Sequence, residues 1–317
     1  MGGLLERLGG GEVLVLDSAM GTELKRRGVP TPLPAWSSHA LVVNPNAVLA
    51  IHRDCVLAGV DLLTANTFRT TRRALAKVGA GERATELTAL AVRLARAAAD
   101  DVANSSRGRG RVLVLGSMAP LEDCYSPELV PGPEALAREH AEHAENLAAA
   151  GVDALLVETM NTQREALAAV RAARATGLPV LVSFVANARG QLFDGESLAK
   201  LVPVLLDEGV VAVLVNCTPV ATTDRILPEL GALAGATPFG AYANIGFPHP
   251  REGWEFADDV SPADYGRHAA EWIRVGARIV GGCCGTTPAH VAAVRAAVEA
   301  APRASSGSAA RPIKGRQ

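Results

Sequence analysis

Gly281-Gly282-Cys283-Cys284-Gly285-Thr286-Thr287-Pro288 follows a short apolar run, Ala277–Val280, and precedes a helical pattern that starts at Pro288. Successive side chains on a strand point to opposite faces, so two vicinal thiols reach one point only where the backbone leaves β geometry. Gly281, Gly282 and Gly285 are expected to supply the unusual φ/ψ values this requires. Three readings of the segment stand side by side: a pair of metal ligands at a strand mouth, a vicinal disulfide, or two buried thiols packed as small hydrophobes.

Working outward, the same strand–turn–helix unit recurs. Apolar runs read as strands at Val13–Leu16, Val60–Thr64, Val112–Leu115, Ala154–Val157, Val180–Val185, Val211–Val215, Phe239–Ala243 and Ala277–Val280. Helical patterns separate them, including a long one from about Thr71 to Asn104. A proline-rich loop precedes Asn44-Pro45, and another long loop runs through Trp254. Strands alternating with helices imply parallel pairing through crossovers, and uninterrupted apolar runs fit strands covered on both faces. Eight such units predict a single (β/α)8 TIM-type barrel over residues 1–301. The alternative is an open doubly wound sheet, but Asp17-Ser18-Ala19-Met20-Gly21 after the first strand is not a G-x-G-x-x-G fingerprint. Residues 302–317 are Ser, Gly, Ala and basic, and are expected to form a disordered tail.

Composition narrows the class. Of 317 residues, 49% are hydrophobic but only 4% aromatic, so the core must be aliphatic. A formal charge of −2 offers no electrostatic case for nucleic acid or an anionic membrane surface. Residues 1–11 lack the features of a secretory signal, and no run reaches the roughly 18 apolar residues of a membrane span. Five cysteines in so large a chain argue for reduced thiols and a cytoplasmic location.

In a (β/α)8 barrel the active site sits at the C-terminal ends of the strands. The residues expected there are Asp17, Asn66, Thr67, Ser117, Glu158, Asn216, Cys217, Asn244, Cys283 and Cys284. Cys217 ends the sixth strand, and the sixth and eighth strands flank the seventh. Three cysteines with an open fourth position make a coherent Zn2+ site. Three thiolates leave the ion poorly suited to activating water and well suited to binding a substrate thiol as thiolate. Cys55, mid-helix, and Cys124, in the loop after the third strand, are read as structural. Asp17 and Glu158 could cap turns, but two carboxylates facing one pocket favour a cationic group on the ligand. Backbone N–H groups of the rim loops, Ser18-Ala19-Met20 and Gly116-Ser117, could hold a carboxylate. Together these describe an amino acid carrying a thiol.

With these residues in place the chain resembles the homocysteine S-methyltransferase family. The resemblance rests on Leu16-Asp17-Ser18-Ala19-Met20-Gly21-Thr22-Glu23-Leu24, Thr64-Ala65-Asn66-Thr67-Phe68, Val215-Asn216-Cys217 and Gly281–Pro288, and covers about residues 10–300. Tyr242-Ala243-Asn244-Ile245-Gly246 is similar to the family's Tyr-Pro-Asn-x-Gly, with Ala243 in place of proline. The resemblance implies that Cys217, Cys283 and Cys284 hold zinc, that homocysteine sulfur is the fourth ligand, and that Asp17 and Glu158 bind its amino group. Methyl transfer from a positively charged donor would then form methionine. Members using betaine carry a Tyr where this chain has Arg69, which disfavours betaine relative to S-methylmethionine or S-adenosylmethionine. Asn66-Thr67-Phe68 looks closer to the first barrel of cobalamin-dependent methionine synthase than to the Ser-Tyr-Gln of S-methylmethionine enzymes. Under that second reading the methyl would come from a separate corrinoid protein. A third is a zinc-bearing protein that binds a thiol amino acid without turnover. The partners expected are homocysteine and a methyl donor, with room for a homo-oligomer. Trp36 and the Gly246–Trp254 loop are candidates for the donor side of the pocket, and no role is assigned to the 246–260 loop as a whole.

Overall fold

The computed structural model describes residues 3–103, 110–257 and 260–301. In chain order the strands are β1 (Leu14–Val15), β2 (Leu62–Thr64), β3 (Leu113–Met118), β4 (Ala154–Met160), β5 (Val180–Phe184), β6 (Ala212–Pro219), β7 (Phe239–Asn244), β8 (Phe247–His249), β9 (Gly253–Glu255) and β10 (Ile279–Gly282). The helices are α1 (Leu4–Gly9), α2 (Met20–Arg26), α3 (His39–Val43), α4 (Pro45–Ala58), α5 (Arg72–Ala76), α6 (Ala84–Ala103), α7 (Pro133–Ala149), α8 (Gln163–Ala175), α9 (Leu198–Asp207), α10 (Val220–Ala234), α11 (Pro262–Arg274) and α12 (Pro288–Ala300).

Eight strands pair in parallel in the order β1-β10-β7-β6-β5-β4-β3-β2. A parallel bridge between Leu16 and Leu62 joins the two ends, closing the barrel. Each strand is buried on both faces, which is why it reads as an apolar run. One layer of the core fills the barrel with Leu14, Leu16, Leu62, Leu115, Leu156, Leu214 and Ile279, and it ends upward at Cys217 and Cys283. The other layer lies between strands and helices and is largely aliphatic, with Phe184, Tyr265 and Trp272 its fully buried large aromatics.

Three features depart from the expected layout. Residues 1–11, read only for the absence of a signal, contain α1, whose Leu4 and Leu8 plug the N-terminal end of the barrel. The proline-rich loop carries α2, a 3-10 turn at Trp36–Ser38 and α3, because Leu24, Ala35, Ala40 and Leu41 bury apolar surface that the prolines disguise. The long helix from Thr71 breaks after α5, where Gly79 adopts φ +73°, and restarts at Ala84. The tail at 302–317 lies outside the described residues. No helix among the described residues is long and apolar enough to cross a membrane.

The seam between β1 and β2 is short and is reinforced by Asp61. Its carboxylate accepts the Val15 N–H (2.8 Å), pairs with Arg7 of α1 (2.6 Å) and pairs with Arg295 of α12. One buried side chain therefore joins the plug, the seam and the last helix. Removing one partner of a buried ionic network leaves the others unpaired, which costs about 3–5 kcal/mol. Asp61→Ala is therefore expected to lower the urea-unfolding free energy by about that amount, whereas Glu12→Ala, on the exposed side of Arg7, changes it by under about 1 kcal/mol.

Candidate active site

At the C-terminal mouth, Cys217, Cys283 and Cys284 converge: their Sγ atoms lie within 4.8 Å of one another, and those of Cys217 and Cys283 are 2.7 Å apart. All five cysteines are free thiols, which sets aside the vicinal disulfide. The backbone leaves the ladder at each contributing position. The β6–β7 pairing shifts register between Asn216 and Pro219, and Cys217 takes φ +47°. The β4–β5 pairing shifts in the same way between Val157 and Met160, beside Glu158, with Thr159 at φ +59°. Such bulges re-aim side chains at barrel rims.

The glycines around the pair act differently from the expectation. Only Gly285 has a positive φ (+84°), and a Cβ there would also lie 1.8 Å from the Ile245 carbonyl oxygen. Gly281 and Gly282 are extended residues of β10 that permit close approach instead: a Cβ would meet Leu16 Cβ at 2.6 Å and Thr286 Oγ1 at 2.3 Å. The turn is then pinned by Cys283 N–H to the Ala243 carbonyl (2.8 Å) and Ile245 N–H to the Cys284 carbonyl (2.8 Å).

The thiols open onto a cavity of about 520 Å³ whose lining includes Asp17, Ser18, Ala19, Asn66, Ser117 and Glu158 as well as the three cysteines. Thr67, Asn216 and Asn244 are not among the lining residues. Thr67 Oγ1 donates to the Ser117 carbonyl (3.0 Å) and accepts the Ser117 N–H (3.0 Å), holding Ser117 in place. Asn216 braces both bulges: its Oδ1 accepts the Thr159 N–H (3.1 Å) and the Ser183 hydroxyl (2.7 Å), and its Nδ2 donates to Thr159 Oγ1 (2.8 Å). Asn244 is buried with an unpartnered Oδ1. Cys55 is sealed inside α4 against the Ser18 hydroxyl (3.4 Å), and burial pushes its thiol up to about 12. Cys124 does reach the cavity wall, outside the three-thiol cluster, and burial pushes it too up to about 12.

Two contributors escaped the sequence reading. Tyr242 donates to Glu158 Oε2 (3.1 Å) while the Ser117 hydroxyl donates to Oε1, so both carboxylate oxygens are fixed. Tyr125 lines the wall beside Cys124. Inward alternation along β7, one position in two, could have flagged Tyr242; nothing local marks Tyr125. The long loop through Trp254 folds as the β8–β9 hairpin, and Trp36 wedges between Gly21 and Gly253, where a Cβ would meet its ring at 2.2 and 2.1 Å.

Burial raises the Asp17 carboxyl to about 7, against the Thr64 N–H that donates to it at 2.8 Å. Burial raises Glu158 to about 8, against the Ser117 and Tyr242 hydroxyls. Neither has a cationic side chain paired with it among the described residues. Burial also opposes ionisation of Cys283, but the Cys217 and Cys284 thiols that donate to it hold it well below the usual thiol range. Cys217, bonded to Cys283, is pushed up in turn. Three convergent thiols, one of them held below the usual thiol range by its neighbours, fit a thiophilic divalent cation. A tetrahedron of about 2.3 Å Zn–S bonds has edges of about 3.8 Å, inside the observed spread. The donor set therefore fits zinc, with Cys217, Cys283 and Cys284 as its holders.

Fold and site together define a (β/α)8 protein with a thiol-based, metal-competent centre and two unpaired carboxylates at its catalytic face. A family model described as homocysteine S-methyltransferase matches residues 14–298. The homocysteine S-methyltransferase of Escherichia coli (strain K12) is 32% identical over 90% of this chain and 95% of its own. A selenocysteine Se-methyltransferase of Brassica oleracea var. italica is 25% identical over 92% and 90%. The crystal structure of the homocysteine methyltransferase MmuM from E. coli in its metallated form superposes with a TM-score of 0.80 at 30% identity, covering 92% of this chain and 98% of that one. The chain belongs to the homocysteine S-methyltransferase family, and it is a methyltransferase.

The two carboxyls give a pH signature. Their folded-state values lie above those of free side chains, so the folded protein keeps protons the unfolded chain has already released. That stabilisation is complete below the free carboxylate range and is lost as pH rises through about 7 and 8. Thermal unfolding of the metal-free, substrate-free protein should move to lower temperature between pH 5 and pH 8.5. In the Asp17→Asn/Glu158→Gln double variant that slope should flatten.

Proposed function

We propose that the protein is a zinc-dependent homocysteine S-methyltransferase that takes its methyl from a small sulfonium, S-methylmethionine or S-adenosylmethionine, in preference to betaine. The observation that carries this reading is the meeting of three thiols and two unpaired carboxylates on one cavity. Cys217, Cys283 and Cys284 would hold the zinc, which would supply a Lewis-acidic centre that lowers the pKa of the substrate thiol. Asp17 and Glu158 receive the homocysteine ammonium, with Glu158 oriented by Ser117 and Tyr242. The buried Asn66 Oδ1, which lacks a protein partner, offers a further acceptor. The rim segment Ser18-Ala19 presents backbone beside the substrate carboxylate.

The reaction is an in-line displacement. The homocysteine thiol gives up its proton to solvent as it binds; its sulfur then forms a bond to the methyl carbon, the donor's S–CH3 bond breaks, and that bond's electron pair stays on the departing thioether. Because that group leaves neutral, no general acid is required, and positioning supplies much of the rate. Trp36, Tyr125 and Trp254 are among the side chains that wall the cavity in which the two substrates would meet. The product is methionine, which places the enzyme in methionine biosynthesis on soluble metabolites in the cytoplasm.

The test is a donor panel of S-methylmethionine, S-adenosylmethionine, betaine and a methyl-corrinoid, with homocysteine as acceptor and methionine as readout. The sulfoniums should react and betaine should not; methionine from the methyl-corrinoid alone would replace this donor assignment. Zinc content should be about one per chain and should fall, together with activity, in Cys217→Ala. Glu158→Gln should raise the homocysteine KM about tenfold to a hundredfold, the worth of one charged hydrogen bond, and leave the donor KM near its original value.

A further inference from the structure

The cavity holds one cation whose counter-charge is missing. Arg69 follows Phe68 in the connection after β2 and lines the same wall as Leu121 to Tyr125. Its Nη1 donates to the carbonyl oxygens of Pro120 (3.0 Å) and Glu122 (2.7 Å), and its Cζ lies 5.0 Å from the centre of the Phe68 ring. These contacts fix the guanidinium but none neutralises it. The carboxylates nearby are already taken. Glu122 pairs with Arg73 and Lys77, and Glu139 pairs with Arg73 and Arg138. Asp123 is turned into its own loop, accepting the Tyr125 N–H and the Ser126 hydroxyl, and makes no ion pair with Arg69. No carboxylate among the described residues pairs with Arg69.

An unpaired charge half-buried in a largely apolar cavity is costly unless a ligand completes it. The Nε–Nη2 edge, which makes no hydrogen bond to any described residue, is the edge that accommodates a carboxylate bidentately. The acids that would receive the homocysteine ammonium stand elsewhere, at the ends of β1 and β4. The cavity volume of about 520 Å³ lies in the range of drug-sized ligand sites, more than one small amino acid fills.

We propose that Arg69 binds the carboxylate of the methyl donor and so selects onium donors whose carboxylate stands several carbons from the onium centre. The proposal rests on the methyltransferase reading above and adds to it the residue that chooses the donor. In S-methylmethionine three carbons separate sulfonium from carboxylate, so the carboxylate can meet Arg69 while the methyl faces the thiols. In betaine one carbon separates them, so the same anchor would hold the cationic nitrogen against the guanidinium. Arg69 therefore excludes betaine by geometry and attracts longer zwitterionic donors by charge.

The experiment compares S-methylmethionine with its decarboxylated analogue, (3-aminopropyl)dimethylsulfonium, in the zinc-loaded full-length enzyme. The wild-type kcat/KM should favour the carboxylate-bearing donor by about tenfold to a hundredfold. In Arg69→Met that preference should collapse through a raised KM for S-methylmethionine, with the homocysteine KM in place and the decarboxylated donor, a dication relieved of the guanidinium's repulsion, reacting no more slowly than before. Arg69→Lys, which keeps the charge but loses the forked edge, should give an intermediate preference, and it carries the test if the neutral variant does not fold. A preference that survives in Arg69→Met, or a homocysteine KM that moves in place of the donor's, overturns the proposal and leaves the proposed reaction standing. Failure of the wild type to form methionine from either sulfonium removes the reaction, and this inference with it.

Discussion

Three sulfur atoms on strands that flank β7 must meet at one point above the barrel, and regular parallel strands cannot deliver them there. The meeting is bought by local disorder in the ladder: a bulge at Cys217, a turn with a left-handed Gly285, and strands packed closer than any side chain allows. Gly240 of β7 shows how close, since a Cβ there would stand 1.9 Å from the Ile279 carbonyl oxygen. A β-branched or even a single-carbon side chain at Gly240 or Gly281 would push β10 away and take Cys283 and Cys284 with it. The glycines around the cysteine pair are thus mainly spacers, and only Gly285 is used for its backbone freedom.

The strain at the bulges is localised and braced. Two non-glycine residues with positive φ, Thr159 and Cys217, flank the site on β4 and β6, a conformation that costs of order 1–3 kcal/mol each. Asn216 answers both, because one side-chain amide bonds Thr159 twice and reaches the Ser183 hydroxyl of the strand between. Glu158 and Cys217, the groups aimed at the cavity, therefore depend on a neighbour that is not among its lining residues and reaches the site only by its Nδ2, which donates to Cys283 Sγ (3.9 Å). At the opposite end of the barrel, Asp61 does comparable work for the β1–β2 seam. Both devices place a polar side chain where the ladder alone would leave backbone or bulge unsupported.

Much of this was legible in the sequence, for identifiable reasons. Strands buried on both faces show as apolar runs, and polar residues at their C-terminal ends stand out against that background, which exposed Asp17, Ser117, Glu158 and Cys217. The same rule could not separate lining residues from supporting ones. Asn216 and Cys217 are adjacent at one strand end, and only the bulge decides which of them faces the ligand. Thr67 and Asn66 divide in the same way. α1 was hidden because six residues carry too little periodicity, and its role comes from plugging a barrel not yet built. The break after α5 lay in Gly79, one glycine in an otherwise helical stretch. The pairing of Tyr242 with Glu158 spans 84 residues and exists only once β4 and β7 face each other across the barrel.

The distribution of charge links the architecture to its chemistry. Around the rim nearly every cation is matched: Arg73 and Lys77 to Glu122, Arg73 to Glu139, Lys25 to Glu252. Inside the mouth the pattern reverses, with two carboxyls raised by burial and one guanidinium held only by carbonyl oxygens. Among the described residues no ion pair joins the guanidinium to either acid, because each is held on its own element. Asp17 and Glu158 are tied to strand ends by Thr64, Ser117 and Tyr242, and Arg69 is tied to the loop after β3. On the proposed reaction, a mouth that holds its acidic and basic groups on separate elements suits ligands carrying both charges, and the three thiols open onto the same cavity. Trp36, clasped between Gly21 of α2 and Gly253 of the hairpin, ties those two elements together at the cavity wall, because neither glycine could carry a Cβ without striking the ring.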